Sequence, residues 1–256
     1  MTRASLCQTF LELGDAVSRN LDLAYRCAIS YGEETITETS LLEIWRRHSS
    51  IVNIKTFSRR QEAQSGADRE WHLIGRKYTL KMRAQAKWLA KNGQQIKSLF
   101  SYKARKSPRP QLDMLVADAA IRGASPCPLR LQHGSIENDM DRIHNAHGRT
   151  CGIGPVETIR NRGSKYLFSI EQMCVPWLVL VCSRSYFNSP FPSIDFLNGA
   201  APESSKGAWT SAPYVVPTDA DEGDRRVRVD VGFELPEDYT PSPVSGLITI
   251  DCREVD

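Results

Sequence analysis

An α/β fold is predicted, and three observations predict it. Two helical patterns open the chain, at 4–30 and from Thr35 to Ser50. Three strand-like segments follow between Ile51 and Trp88. A further helical pattern and a short strand complete the series at 111–122 and 127–131. A switch from a 3.6-residue to a 2-residue hydrophobic period and back is the signature of mixed layers. The length of 256 residues allows one large domain or two small ones, with enough core to fold unaided.

Residues 4–30 place Leu6, Phe10, Leu13, Val17, Leu21 and Tyr25 at three- and four-residue steps, which predicts an amphipathic helix. Gly14 weakens this helix, and Ser30-Tyr31-Gly32 ends it. Thr35-Ile36-Thr37-Glu38 has capping-box spacing, so a second helix is expected to start near Thr35. It would carry Leu41, Leu42, Ile44 and Trp45 toward a core. Ile51 to Phe57 is β-branched and reads as a strand. Ser58 to Gly66 is a polar turn containing Glu62, and Ala67 to Ile74 is the next strand. Tyr78 to Trp88 alternates over its whole length. Tyr78, Leu80, Met82, Ala84, Ala86 and Trp88 share one face, and Thr79, Lys81, Arg83, Gln85 and Lys87 share the other.

Residues 90–110 form a basic connector with helical potential around 94–102. Gln111 to Arg122 reads as a helix stopped by Gly123, and Cys127 to Leu131 as a short strand. Beyond it the patterns thin out. Residues 133–150 are polar, and Val156 to Arg160 suggests a short helix after Pro155. Glu171 to Cys182 suits either a buried strand or a helix. Residues 184–245 read as long loops with short strands such as 227–231, and Gly246 to Cys252 as a last strand. The expected organisation is an N-terminal helix at 1–32, an α/β core at 33–132, and a loop-rich C-terminal portion at 133–256, either an extension of that core or a second small domain.

Composition and charge exclude several classes. With 41% hydrophobic and 25% charged residues, the chain is neither disordered nor fibrous. Its longest apolar run, Val175 to Cys182, is too short to cross a bilayer. Seven scattered cysteines lack C-x-x-C or zinc-finger spacing, and no hydrophobic leader opens the sequence. These features predict reduced thiols in a soluble, intracellular, cytoplasmic protein. The net charge of +3 conceals a division. Residues 1–130 hold 22 Lys/Arg against 12 Asp/Glu, and residues 131–256 hold 11 against 18. The excess peaks over 55–109, with 15 basic and 3 acidic residues. A basic stretch of this kind suits a polyanion, or else forms a solvated face.

The chemistry-bearing residues lie in that same stretch. Asp68 opens one strand, Glu62 sits in the turn before it, and Gln85-Ala86-Lys87 ends the next strand. Gln85 and Lys87, two residues apart, share a strand face. Hydrolysis of a phosphodiester needs charge neutralised at phosphate, an activated water and stabilisation of the developing charge. Carboxylates from Asp68 and Glu62 and the Gln85 amide oxygen are ligands of the kind Mg²⁺ takes. The Lys87 ammonium could orient a water or meet phosphate, and Lys81 and Arg83 on the same face would contact nucleic acid. His72 shares a face with Asp68 and Glu70 and is expected to be solvated. His144-x-x-His147 adjoins Gly148 and is a weak ligand pair. Trp71 and Trp88 fall on apolar faces and belong to a core.

The order and spacing of Gly66-Ala67-Asp68 and Gln85-Ala86-Lys87 resemble the PD-(D/E)xK, or restriction-endonuclease-like, nuclease superfamily. They are most similar to its Mrr-type members, in which glutamine replaces the third-motif acid. The resemblance implies a core of a helix, a three-stranded mixed sheet, a helix and a further strand. It also implies an endonuclease dependent on Mg²⁺ or Mn²⁺, acting on DNA ahead of RNA, as in defence against foreign DNA. Asp68, Gln85 and Lys87 match its catalytic positions, and Glu62 matches less closely. A further carboxylate in this superfamily comes from the first core helix, here Glu34, Glu38 or Glu43. Such nucleases commonly cut both strands as homodimers. The longer pattern, from Glu33 to Leu115, also resembles an uncharacterised microbial family with this core. A nucleic-acid-binding or protein-interaction module without catalysis is the alternative.

Overall fold

The computed structural model describes residues 5–56, 68–75, 78–88, 100, 109–121, 125–126, 129–132, 151–154, 156, 159, 175–182, 215–217 and 246–253. The architecture is mixed α/β. Helices α1 (Leu6–Arg26) and α2 (Glu33–His48) are followed by strands β1 (Val52–Thr56), β2 (Arg69–Ile74), β3 (Tyr78–Ala84) and β4 (Ala86–Trp88). Then come α3 (Gln111–Ile121), β5 (Ser125–Pro126), β6 (Leu129–Gln132), β7 (Cys151–Gly154), β8 (Val175–Pro176), α4 (Val179–Cys182), β9 (Val215–Pro217) and β10 (Gly246–Asp251). Among the described residues, no helix is long and apolar enough to cross a membrane.

Both opening helices form where the periodicity requires, with shifted ends. Ser5 caps α1 by accepting from the Gln8 N–H, satisfying one of the open donors of the first turn. The helix stops at Cys27, because Ala28 turns left-handed at φ 55° and its neighbours bond back to the last carbonyls. Tyr25 is therefore past the buried stripe and is exposed. The capping box expected at Thr35 is not used. Gly32 is the N-cap of α2, which puts Glu33 and Glu34 in the first turn. Leu41 and Ile44 enter the core as expected, whereas Leu42 and Trp45 face outward, since a helix of this register offers its core only one stripe.

The first sheet has the order β1-β10-β2-β3-β5, with β9 also pairing with β3. β10 runs antiparallel to β1 and parallel to β2, and β2 and β3 are antiparallel. β3 runs parallel to β5 and antiparallel to β9. The expected three-stranded sheet is thus part of a six-stranded one, and β10 separates β1 from β2. The core is not confined to 33–132, because α1 and β10 both contribute to it. At Gly246 a Cβ would lie 2.9 Å from the Lys55 carbonyl oxygen, so the glycine permits the close approach of β1.

The main core fills the face of this sheet covered by α1 and α2. It joins Leu6, Phe10, Leu13, Leu41 and Ile44 to Val52, Trp71, Leu73, Leu80, Met82, Ile248 and Ile250. Trp177 belongs to the same cluster. Its ring lies 4.4 Å from that of Phe10, and its Nε1 donates to the Phe10 carbonyl at 3.1 Å. The segment containing it is both strand and helix, β8 then α4, so periodicity fits neither alone. A second cluster, Leu112, Leu115 and Val156, lies under α3. Between α1 and α2, Thr9 and His48 share a buried 2.8 Å hydrogen bond.

The Tyr78–Trp88 alternation does not form one strand. It breaks at Gln85. β3 stays in the first sheet, and β4 joins a second one of order β4-β6-β7-β8. The expectation of reduced thiols fails at Cys7, which is disulfide-bonded; Cys27 and Cys252 are free. Burial, with Asp251 beside it, pushes the Cys252 thiol well above its usual range. The expected turn with Glu62, the helix near 94–102 apart from Phe100, the 133–150 segment with His144 and His147, and the strand at 227–231 lie outside the described residues.

Candidate active site at a fork between two sheets

The break at Gln85 is built by Asp68. The Asp68 N–H donates to the Ala84 carbonyl at 2.8 Å, closing the last rung between β2 and β3. One residue past Gln85, the Ala86 N–H donates to Asp68 Oδ2 at 2.6 Å. A side-chain oxygen thus takes the place of a backbone acceptor where the chain leaves one sheet for the other, and Ala86 then aligns with Arg130 of β6. This satisfies a donor that the parting ladder would otherwise strand. It also fixes the Asp68 carboxylate beside the Gln85-Ala86-Lys87 backbone.

Gln85 is fully buried at this fork, and Lys87 is 8% exposed. Lys87 Nζ lies 3.8 Å from Glu33 Oε2 at the start of α2. Carboxylates are favoured there by the partial positive charge of a helix N-terminus. The structure thus brings Asp68, Gln85 and Lys87 to one place and adds Glu33 from the first core helix. The expected helix acids sit elsewhere. Glu34 and Glu38 are exposed. Glu43 is engaged by Arg46 at 2.7 Å and Arg47 at 2.6 Å, which hold its carboxyl down at about 2. Glu33 was not among the expected helix acids, although its neighbour Glu34 was. The signal that could have found it was Gly32 followed by two acids, an equally good N-terminus.

Arg83 is corrected from a phosphate contact to a buried group. It is 0% exposed, and its Nη2 donates to Glu70 Oε2 at 2.7 Å. Arg83 and Glu70 are direct cross-strand partners, one rung inside the fork. His72 is not simply solvated either, since its Nε2 pairs with Glu70 Oε1 at 2.7 Å. Burial pushes the Glu70 carboxyl up, but the His72 hydrogen bond and the Arg83 charge outweigh it and hold the group below its ordinary value. Lys81, opposite His72 in the register, is half-buried. Trp71 is in the core as expected.

Among the described residues, no group of three or more His, Cys, Asp or Glu is placed to hold a metal ion. The donors at the fork are the Asp68 carboxylate and the Gln85 amide, with Glu33 across from Lys87. These are hard oxygen donors.

A mixed α/β protein in which an aspartate holds the Gln85-Ala86-Lys87 backbone where two sheets part is the class that fold and site define. The chain belongs to DUF6615, a family of unknown function, which matches residues 6–229. No curated protein and no solved structure matches it.

Proposed function

We propose that the protein is a metal-dependent nuclease with a restriction-endonuclease-like core, acting on DNA ahead of RNA. The observation that carries this reading is the 2.6 Å hydrogen bond from the Ala86 N–H to Asp68, which sets a carboxylate beside Gln85 and Lys87 at the fork. The element order α2-β1-β2-β3-β4-α3-β5, in which β4 leaves for the second sheet, supports it, as does β5 lying parallel to β3 after the α3 connection. β10 between β1 and β2 is an addition to the core that the resemblance implies.

Asp68 and the Gln85 amide oxygen would hold Mg²⁺ or Mn²⁺, with Glu62 as a further candidate ligand. A bound ion supplies neutralisation of the scissile phosphate and a more acidic water. Lys87 orients that water or the phosphate, and Glu33 holds the ammonium in place. Lys81 and the basic 55–109 stretch contact the nucleic-acid backbone, so binding weakens steeply as salt rises. A homodimer would allow both strands of a duplex to be cut.

One observation favours a second reading. Gln85 and Lys87 are buried and Lys87 is paired with Glu33, which suits a nucleic-acid-binding module without turnover. Plasmid and oligonucleotide cleavage with Mg²⁺ or Mn²⁺, comparing wild type with Asp68→Ala and Lys87→Ala, separates the two. Metal-dependent nicking lost in both variants is the expected result. DNA binding without cleavage in the wild type would transfer the assignment to the binding module, and neither binding nor cleavage would remove both.

A further inference from the structure

The least expected feature of the central sheet is an ionic cluster buried one rung from the fork. Arg83 is 0% exposed, Glu70 8% and His72 16% by side chain. Each oxygen of Glu70 meets one nitrogen, Oε2 with Arg83 and Oε1 with His72. Burying such charges is a poor route to stability, because desolvation offsets most of the attraction, and apolar residues of similar volume often do as well. What a buried, directional pair supplies is register.

The location gives that register a use. Glu70 is two residues along β2 from Asp68, and Arg83 is two residues along β3 from Gln85. Glu70 and Arg83 lie on the same side of the strands. Glu70 and Arg83 face each other across the pair. The next rung outward contains Asp68 N–H to Ala84 O, followed by Ala86 N–H to Asp68 Oδ2. Any shear between β2 and β3 would therefore be transmitted directly to the carboxylate. A pair of apolar side chains can slide by an ångström at small cost. A guanidinium bonded to a carboxylate whose other oxygen is already held by His72 cannot.

We propose that Glu70 and Arg83, with His72 orienting Glu70, are positioning residues that hold Asp68 and Gln85 in register at the fork. The catalytic consequence rests on the nuclease reading above. The positional role itself does not.

The test uses the full chain in three forms: wild type, the double variant Glu70→Met with Arg83→Met, and Arg83→Lys. Hydrogen exchange of the Ala86 amide, resolved by NMR, reports the bond to Asp68 directly. The amides of the remaining β2–β3 ladder report the fold. The double variant is expected to keep its melting temperature and ladder protection. Its Ala86 amide should exchange at least tenfold faster, its half-saturating Mn²⁺ concentration should rise, and cleavage should fall at least tenfold. Arg83→Lys keeps the charge and should recover part of the protection. Ala86 exchange within twofold of wild type in the folded double variant would overturn the proposal. If the double variant does not fold, Glu70→Gln, which keeps the side-chain volume and removes the charge that Arg83 and His72 meet, takes its place, and unchanged Ala86 exchange there has the same meaning. Faster Ala86 exchange in a protein whose wild type never cleaves would sink the nuclease reading and leave the positioning role standing.

Discussion

The two faces of the β10-β2-β3 layer are made by alternate residues of the same strands, yet they are held by different forces. Trp71, Leu73, Leu80, Met82, Ile248 and Ile250 meet α1 and α2 through apolar contact. Glu70, His72, Lys81, Arg83 and Thr249 occupy the other side together with the buried Leu247, and there Glu70 binds Arg83 and His72. Apolar packing is non-directional and yields gradually as volume is removed. A buried ion pair depends on direction and fails when one partner is lost. Placing the second kind of contact nearest the fork ties the geometry of Asp68 to the less forgiving face.

The sharpest contrast comes from single truncations on each face. Arg83→Ala leaves Glu70 buried without its guanidinium and is expected to cost about 3–5 kcal/mol. Leu73→Ala, three register positions along on the apolar face, is expected to cost about 2–5 kcal/mol through lost transfer energy and a residual cavity. Urea unfolding of both variants measures the two. The faces part company in a second substitution at each site. Restoring volume with Arg83→Met plus Glu70→Met should return most of the lost stability, and a double variant as unstable as Arg83→Ala would break the comparison.

Acid provides a smaller test. Glu70 has a folded pKa below its unfolded value of about 4.3. Its contribution is therefore full above that value and is lost as pH falls through the folded pKa. Glu43, held at about 2, behaves in the same direction over a window from about 4.3 down to about 2. The urea midpoint should fall on acidification below pH ~4, and Glu70→Gln should flatten part of that slope. An unchanged slope in Glu70→Gln would mean that the buried cluster is not what acid dissolves.

The smallest effect is expected where ions meet solvent. Arg47 bridges Glu12 of α1 and Glu43 of α2, and its side chain is 26% exposed while that of Glu12 is 44% exposed. Exposed pairs of this type contribute little, so Arg47→Ala should cost only about 0.5 kcal/mol and matter less at high salt. A loss as large as that from Arg83→Ala would show that burial is not what separates the two networks.

Much of this frame is legible in sequence, because most of it depends on local pattern. The α1 stripe from Leu6 to Val17 and the alternation from Thr79 to Ala84 are properties of neighbours in the chain. The fork is not. Gln85 continues the alternation perfectly, and the strand ends where an aspartate 18 residues before Ala86 supplies the acceptor. Arg83 reads as one more basic residue on a polar face, since nothing in its neighbourhood announces that Glu70 lies opposite. Gly246 to Cys252 has the composition of a strand. Its place between β1 and β2 depends on pairings nearly two hundred residues apart, which leave no periodic trace.

That central place has a consequence for the order in which the molecule can be assembled on the ribosome. α1, α2, β1, β2 and β3 all emerge early, but β1 and β2 have no bond to each other and wait for β10 to come between them. Until residues 246–251 are available, both strands present open edges of the kind that other chains can pair with. The main sheet therefore closes after synthesis has passed its last strand, and the interval before closure is when the nascent chain is most in need of protection from its neighbours.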